Sequence, residues 1–140
     1  MILTLKLNNP LFSTIKKLGM FLIGLLFLAA CGNNINKLAD ESLGEIKLNQ
    51  EYCYVIDLDK LANGKSIETS VRVVINPINN GIKAGYQLTE NADEAKNQVI
   101  ISGKPTVKGN ISVDIQWGIY GNMSYSPKLF KKRFIINVVE

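Results

Sequence analysis

The chain has 140 residues, 46% of them hydrophobic, which suits one folded domain with a modest core. Its formal charge of +4 is local: Lys6, Lys16 and Lys17 lie in residues 1–30, which hold no acid, and removing these three from 16 Lys and Arg leaves 13 against 12 Asp and Glu. A near-neutral body gives no electrostatic case for nucleic-acid binding, and the absence of histidine removes the commonest general base, the Ser-His and Cys-His pairs and the commonest metal ligand.

Residues 1–17 are polar to mixed and end in the pair Lys16-Lys17; residues 18–30, LGMFLIGLLFLAA, follow without a charge. As a helix this run rises about 20 Å, short of a hydrocarbon core of about 30 Å. A positive start, a short apolar run and small residues at its end are the order of a secretory signal, not of a membrane span. The junction Leu28-Ala29-Ala30-Cys31 resembles the lipobox of bacterial lipoproteins. That resemblance implies cleavage between Ala30 and Cys31 and a diacylglyceryl group on the Cys31 thiol. Two or three acyl chains anchor stably, because each buried methylene contributes roughly 0.8 kcal/mol. A plain secretory signal with a chance cysteine, or an uncleaved short anchor, is the alternative. Gly32 and Asn33 stand where that family's inner-membrane retention signal has an Asp, so its sorting rule implies the outer membrane, facing the periplasm or the cell surface.

Residues 32–45, GNNINKLADESLGE, carry no sustained apolar face and read as a tether. A flexible segment of that length reaches about 20 Å. The expected division is a signal peptide over 1–30, a lipidated cysteine and flexible tether over 31–45, and a folded body over 46–140.

Strand signals begin at Ile46. Tyr52, Tyr54, Ile56 and Leu58 alternate with Cys53, Val55, Asp57 and Asp59. Residues 62–65, ANGK, form a turn, and Ile67, Thr69, Val71, Val73 and Ile75 alternate again until Asn76-Pro77 ends the run. Residues 78–85 read as a glycine-bounded loop, followed by short strands over 86–89 and 98–102. A further strand over 111–119 alternates Ile111, Val113, Ile115 and Trp117 with polar residues. The closing strand over 130–139 puts Phe134, Ile136 and Val138 on one face. No helical stripe exceeds two turns. The expected fold is all-β: an immunoglobulin-like antiparallel β-sandwich of about seven strands after an N-terminal signal helix.

In order along the body stand Gly81-Ile82, then Ile101-Ser102-Gly103-Lys104-Pro105-Thr106, then Gly109, the strand 111–117 and Phe134-Ile135-Ile136-Asn137-Val138. This series resembles the immunoglobulin-like, cadherin-like domains of bacterial surface proteins, over about 60 residues. The resemblance implies a fold and no reaction. The family's Leu-Pro-x-Gly-Leu is degraded here to Pro77-Ile78-Asn79-Asn80-Gly81-Ile82. The calcium-binding acidic clusters of cadherin-like modules are missing as well. Asp57 and Asp59 have no companion acids and read as a solvated strand end, so no metal site and no cofactor is expected.

Cys53 reads as a buried, inert thiol, with an intermolecular bridge or a reactive thiol as alternatives. The loop over 118–127, GIYGNMSYSP, gathers Tyr120, Met123 and Tyr125 among small polar residues, the composition of recognition loops. Its plainer reading is a hairpin whose tyrosines fold back onto the sheet. Lys128, Lys131, Lys132 and Arg133 read as solvent-facing charge that protects an edge strand, or as a contact for anionic lipid headgroups. The expectation is therefore a non-catalytic binding or structural module at the cell envelope. Its partners would be the membrane through Cys31 and an envelope protein or glycan through the loop 118–127. An inhibitor or immunity lipoprotein that neutralises a toxin or lytic enzyme is the alternative.

Overall fold

Period-two alternation governs the chain wherever a strand has one wet and one dry face, and it is obeyed here with few breaks. The computed structural model describes residues 34–91 and 94–140, so the signal segment and Cys31 lie outside the described residues. The elements are β1 (Ile35–Lys37), β2 (Glu41–Lys47), β3 (Tyr52–Asp57), α1 (Leu58–Ala62), β4 (Ser66–Asn76), β5 (Ile82–Asn91), β6 (Glu94–Gly103), β7 (Gly109–Ile119) and β8 (Lys128–Val139). One sheet runs β1-β8-β7-β4, with β2 also on β8; the other runs β3-β6-β5. This is the expected all-β sandwich with immunoglobulin-like strand order.

The core is the meeting of the two inner faces. Ile111, Val113, Ile115 and Trp117 of β7 and Phe134, Ile136 and Val138 of β8 are buried against Ile56 of β3, Ile82 of β5, and Val99 and Ile101 of β6. Each fully buried side chain of this kind stabilises the fold by about 1.5–3 kcal/mol relative to exposure. The Trp117 and Phe130 rings stack at 5.8 Å between centroids, extending the core toward one end.

The tether expectation is corrected. Ile35–Lys37 and Glu41–Lys47 are strands, both parallel to β8, with Ile35 opposite Leu129 and Ile46 opposite Val138. The body therefore starts at Asn34 instead of Ile46, and the described strands number eight. Two features hid them. β1 exposes all three of its residues, so pairing with β8 imposed no apolar pattern. In β2 the register slips between Ser42 and Glu45, where Gly44 sits at a φ of 91°. That bulge puts one extra residue in the strand and breaks the alternation that would have linked Leu43 to Ile46.

Two smaller expectations also change. The loop over 78–85 ends early, because β5 begins at Ile82 and pairs along its length with β6. The turn over 62–65 is the end of α1, whose N-cap is Asp57, accepting from the Lys60 N–H at 3.2 Å, and whose C-cap is Asn63 at a φ of 49°.

The Ser102-Gly103-Lys104-Pro105-Thr106 segment gains a physical account. Gly103 and Gly81 lie at φ of 135° and 86°, and a Cβ on Gly103 would collide with the Gly81 carbonyl oxygen, one on Gly81 with that of Lys104. The Lys104 and Thr106 N–H groups donate to the carbonyls of Gly81 and Asn80 at 3.2 and 2.8 Å. Buried Asn80 completes the crossing, donating to the Pro77 carbonyl and accepting from the Ile82 N–H.

Candidate functional site

Strand order brings the α1 turn between β3 and β4, the start of β6 and the β7–β8 loop over 120–127 to one end of the sandwich. The Tyr120 N–H donates to the Lys65 carbonyl at 3.0 Å, and Lys65 Nζ donates to the Ala95 carbonyl at 2.6 Å. Lys65 thus braces the α1 turn to the β7–β8 loop and to the start of β6.

Within the β7–β8 loop the shape comes from Asn122. Its side-chain oxygen accepts from the Ser124 and Tyr125 N–H groups at 2.8 and 2.9 Å, and its own N–H donates to the Tyr125 carbonyl at 2.9 Å. Gly121 passes so close beneath that a Cβ would strike the Tyr125 carbonyl oxygen and lie 2.8 Å from the Pro127 nitrogen. This tight turn leaves Tyr120 62% exposed, Tyr125 64% exposed and Met123 fully in solvent. Tyrosines folded back on the sheet, the plainer reading of the sequence, are not found. The loop bounds a shallow open cavity of about 440 Å³ lined by its own residues. Lys128 Nζ lies 5.8 Å from the centre of the Tyr125 ring, keeping a cation beside the aromatic.

The four basic residues after the loop do not share a face. Lys132 lies opposite Ile115, so its side chain points inward, largely buried, and ends on Glu41 at 2.8 Å. Arg133 faces outward and clamps Asp114 with two bonds of 2.8 and 2.9 Å. This clamp holds the Asp114 carboxyl below the usual carboxylate range. Lys131 faces outward beside Lys37 of β1, and Lys128 stays with the loop. As a headgroup-binding set, the cluster is reduced to Lys128 and Lys131, with Lys132 and Arg133 engaged by acids.

Asp59 is a residue the sequence undersold as a solvated strand end. Its carboxylate accepts from the Ser66 N–H at 2.7 Å, from Asn97 Nδ2 on both carboxylate oxygens at 3.0 and 3.1 Å, and from Lys65 Nζ at 3.3 Å. Asn97 in turn accepts from the Tyr86 hydroxyl at 2.7 Å. Burial pushes the Asp59 carboxyl up, but these donors outweigh it and hold it below its ordinary value. The network staples α1 to β4 and β6 directly under the loop end. Contacts between residues 38 apart leave no periodic trace, so no local pattern announces them.

Cys53 is exposed on the outer face of β3, which corrects the buried thiol. It borders a shallow depression of about 450 Å³ with Glu51, Tyr52, Ser102, Gly103 and Lys104. Alternation had placed it opposite Tyr52 and Tyr54 correctly; which face was dry depended on the second sheet. Among the described residues no group of three His, Cys, Asp or Glu side chains is placed to hold a metal ion, and no helix is long and apolar enough to cross a membrane.

No family model matches the chain, and no curated protein matches it. Solved structures similar to it include an endo-fucoidan hydrolase from glycoside hydrolase family 107, at 17% identity and a TM-score of 0.39 over 71% of this chain. This chain spans only 12% of that one's length. PbICP-C, solved in complex with falcipain-2, matches at 14% identity and a TM-score of 0.39 over 77% of this chain and 95% of that one. The cysteine protease inhibitor EhICP2 from Entamoeba histolytica matches at 9% identity and a TM-score of 0.34, over 76% of this chain and all of that one.

Proposed function

We propose that the protein is a lipid-anchored module of the bacterial cell envelope that binds, without catalysis, through the loop end of its sandwich. The observation that carries the reading is the outward display of Tyr120, Met123 and Tyr125 on a turn made rigid by Asn122 and Gly121. Exposed aromatics and a methionine on a braced scaffold place contact area where little entropy remains to be lost on binding. Acylation of Cys31, with sorting to the outer membrane, supplies the address. Two experiments test the reading. Cys31→Ser is expected to abolish lipid labelling and signal processing, and persistence of lipid on that variant refutes the anchor. Serine at 120, 123 and 125 together is expected to remove binding to isolated envelope components while leaving the fold intact; unchanged binding refutes the loop.

A second reading, a small inhibitor or immunity lipoprotein acting on a toxin or lytic enzyme, uses the same end. The bracing of the β7–β8 loop through Lys65 to the start of β6 favours it, because a stiff projection suits insertion into a cleft. Loop-dependent recovery of such an enzyme from envelope extract decides for it.

A further inference from the structure

Resting on the proposed acylation of Cys31 and on binding through the loop end, we infer that the surface bound by Tyr120, Met123 and Tyr125 is the membrane interface itself. The argument is one of chain entry. β1 runs parallel to β8 with Ile35 opposite Leu129, and Asn36 Nδ2 donates to the Leu129 carbonyl at 3.1 Å. β8 starts at Lys128, immediately after the exposed loop. The polypeptide therefore enters the sandwich at the same end as that loop, and Ile35 lies only four residues beyond Cys31. Four residues span about 14 Å at most, whatever their conformation. An acyl chain on Cys31 then holds this end, and no other, against the headgroups.

The chemistry of that end fits the position. Tyrosine rings with a polar tip settle at the boundary between headgroups and acyl chains, and a fully exposed methionine adds apolar area. Residues 115–139 contain no acid, while Lys128 and Lys131 lie at this end, with Lys37 beside Lys131. Lys131 stands opposite Lys37, whose own acid partner Asp40 is a long 3.9 Å away, so anionic phosphate headgroups suit the pair. The acids described near this end are engaged within the protein: Asp40 stands 3.9 Å from Lys37 Nζ, Asp114 is clamped by Arg133, Asp57 caps α1 and Asp59 is held by Lys65.

The test uses the acylated full-length chain in vesicles of phosphatidylcholine and phosphatidylglycerol. In a Cys53→Ser background, Met123→Cys and, separately, Val107→Cys carry an environment-sensitive dye; Val107 is an exposed position in the β6–β7 turn at the opposite end. The expected result is that the dye at 123 shifts to the blue, is quenched by spin-labelled lipid and loses most of its quenching by aqueous iodide. The dye at 107 stays open to iodide. Equal iodide access at 123 and 107 overturns the inference. So does shielding of 123 that needs added envelope protein, which assigns the loop to a protein partner. If neither variant floats with vesicles, the Cys31 anchor itself fails and the inference falls with it; flotation is scored before any dye is read.

Discussion

Replacing Asp59 by alanine tests the network under the loop end most directly. The substitution removes the acceptor for two donors that have nowhere else to turn. One is the N–H of Ser66, a buried residue; the other is the amide of Asn97, which is only 2% exposed. A buried donor left unsatisfied costs about 1–3 kcal/mol, and bonds to a charged acceptor lie at the upper end. With Lys65 also losing a partner at the surface, the expected loss is about 3 kcal/mol in stability. For a domain of about 100 residues that lowers Tm by roughly 12–24 °C. Urea unfolding followed by fluorescence of Trp117, the single tryptophan and fully buried, measures it. Asp59→Asn keeps one acceptor oxygen and is expected to recover about half of the loss. A loss under about 1 kcal/mol for the alanine variant refutes the reasoning, since it means water satisfies both donors.

The same carboxylate sets an acid limit. Because the folded-state value lies below the ordinary 3.8, the stabilisation is complete above that pH and drains away as pH falls through the folded value. The native chain is expected to lose stability below about pH 4, and Asp59→Asn to flatten that decline, seen as a shallower fall of the urea midpoint with pH. Asp114, depressed by Arg133, titrates in the same window and keeps some slope in the variant. Gly103→Ala is expected to cost about 3 kcal/mol, because a positive φ and a backbone collision act together. Gly44→Ala, with open space around the Cβ, is expected to cost about 1 kcal/mol by the same urea assay. Cys53 is expected to react with a maleimide in the absence of denaturant, read by intact mass; no reaction until unfolding contradicts its exposure. Lys132→Met keeps the buried stem and loses only the pair with Glu41, so its urea midpoint is expected to shift by no more than about 1 kcal/mol equivalent, whereas Lys132→Asp, a buried acid facing Glu41, is expected to cost several.

What the sequence by itself determined is what depends on neighbours along the chain. Strict alternation named the inward rows Ile111 to Trp117 and Phe134 to Val138, since each strand must turn one face to a dry layer. The resemblance named Gly81 and the Gly103-Lys104-Pro105-Thr106 segment in order along the chain, and the structure shows that their backbones cross closely. The display of Tyr120, Met123 and Tyr125 was legible as a composition, and their exposure follows from Asn122 closing the turn beneath them. Only the tertiary structure decided the rest. β1 and the bulged β2 exist because β8 offers them a free backbone ladder, which leaves no mark on side-chain periodicity. Lys132 turns inward while its neighbours Lys131 and Arg133 turn out, so a run of like charge in sequence is divided in space by the pleat. Asp59 of α1 meets Asn97 of β6, 38 residues on, and β1 delivers the chain to the same end as the β7–β8 loop. Those are facts of long-range pairing, set by which backbone edge is left open and which face is left to bury.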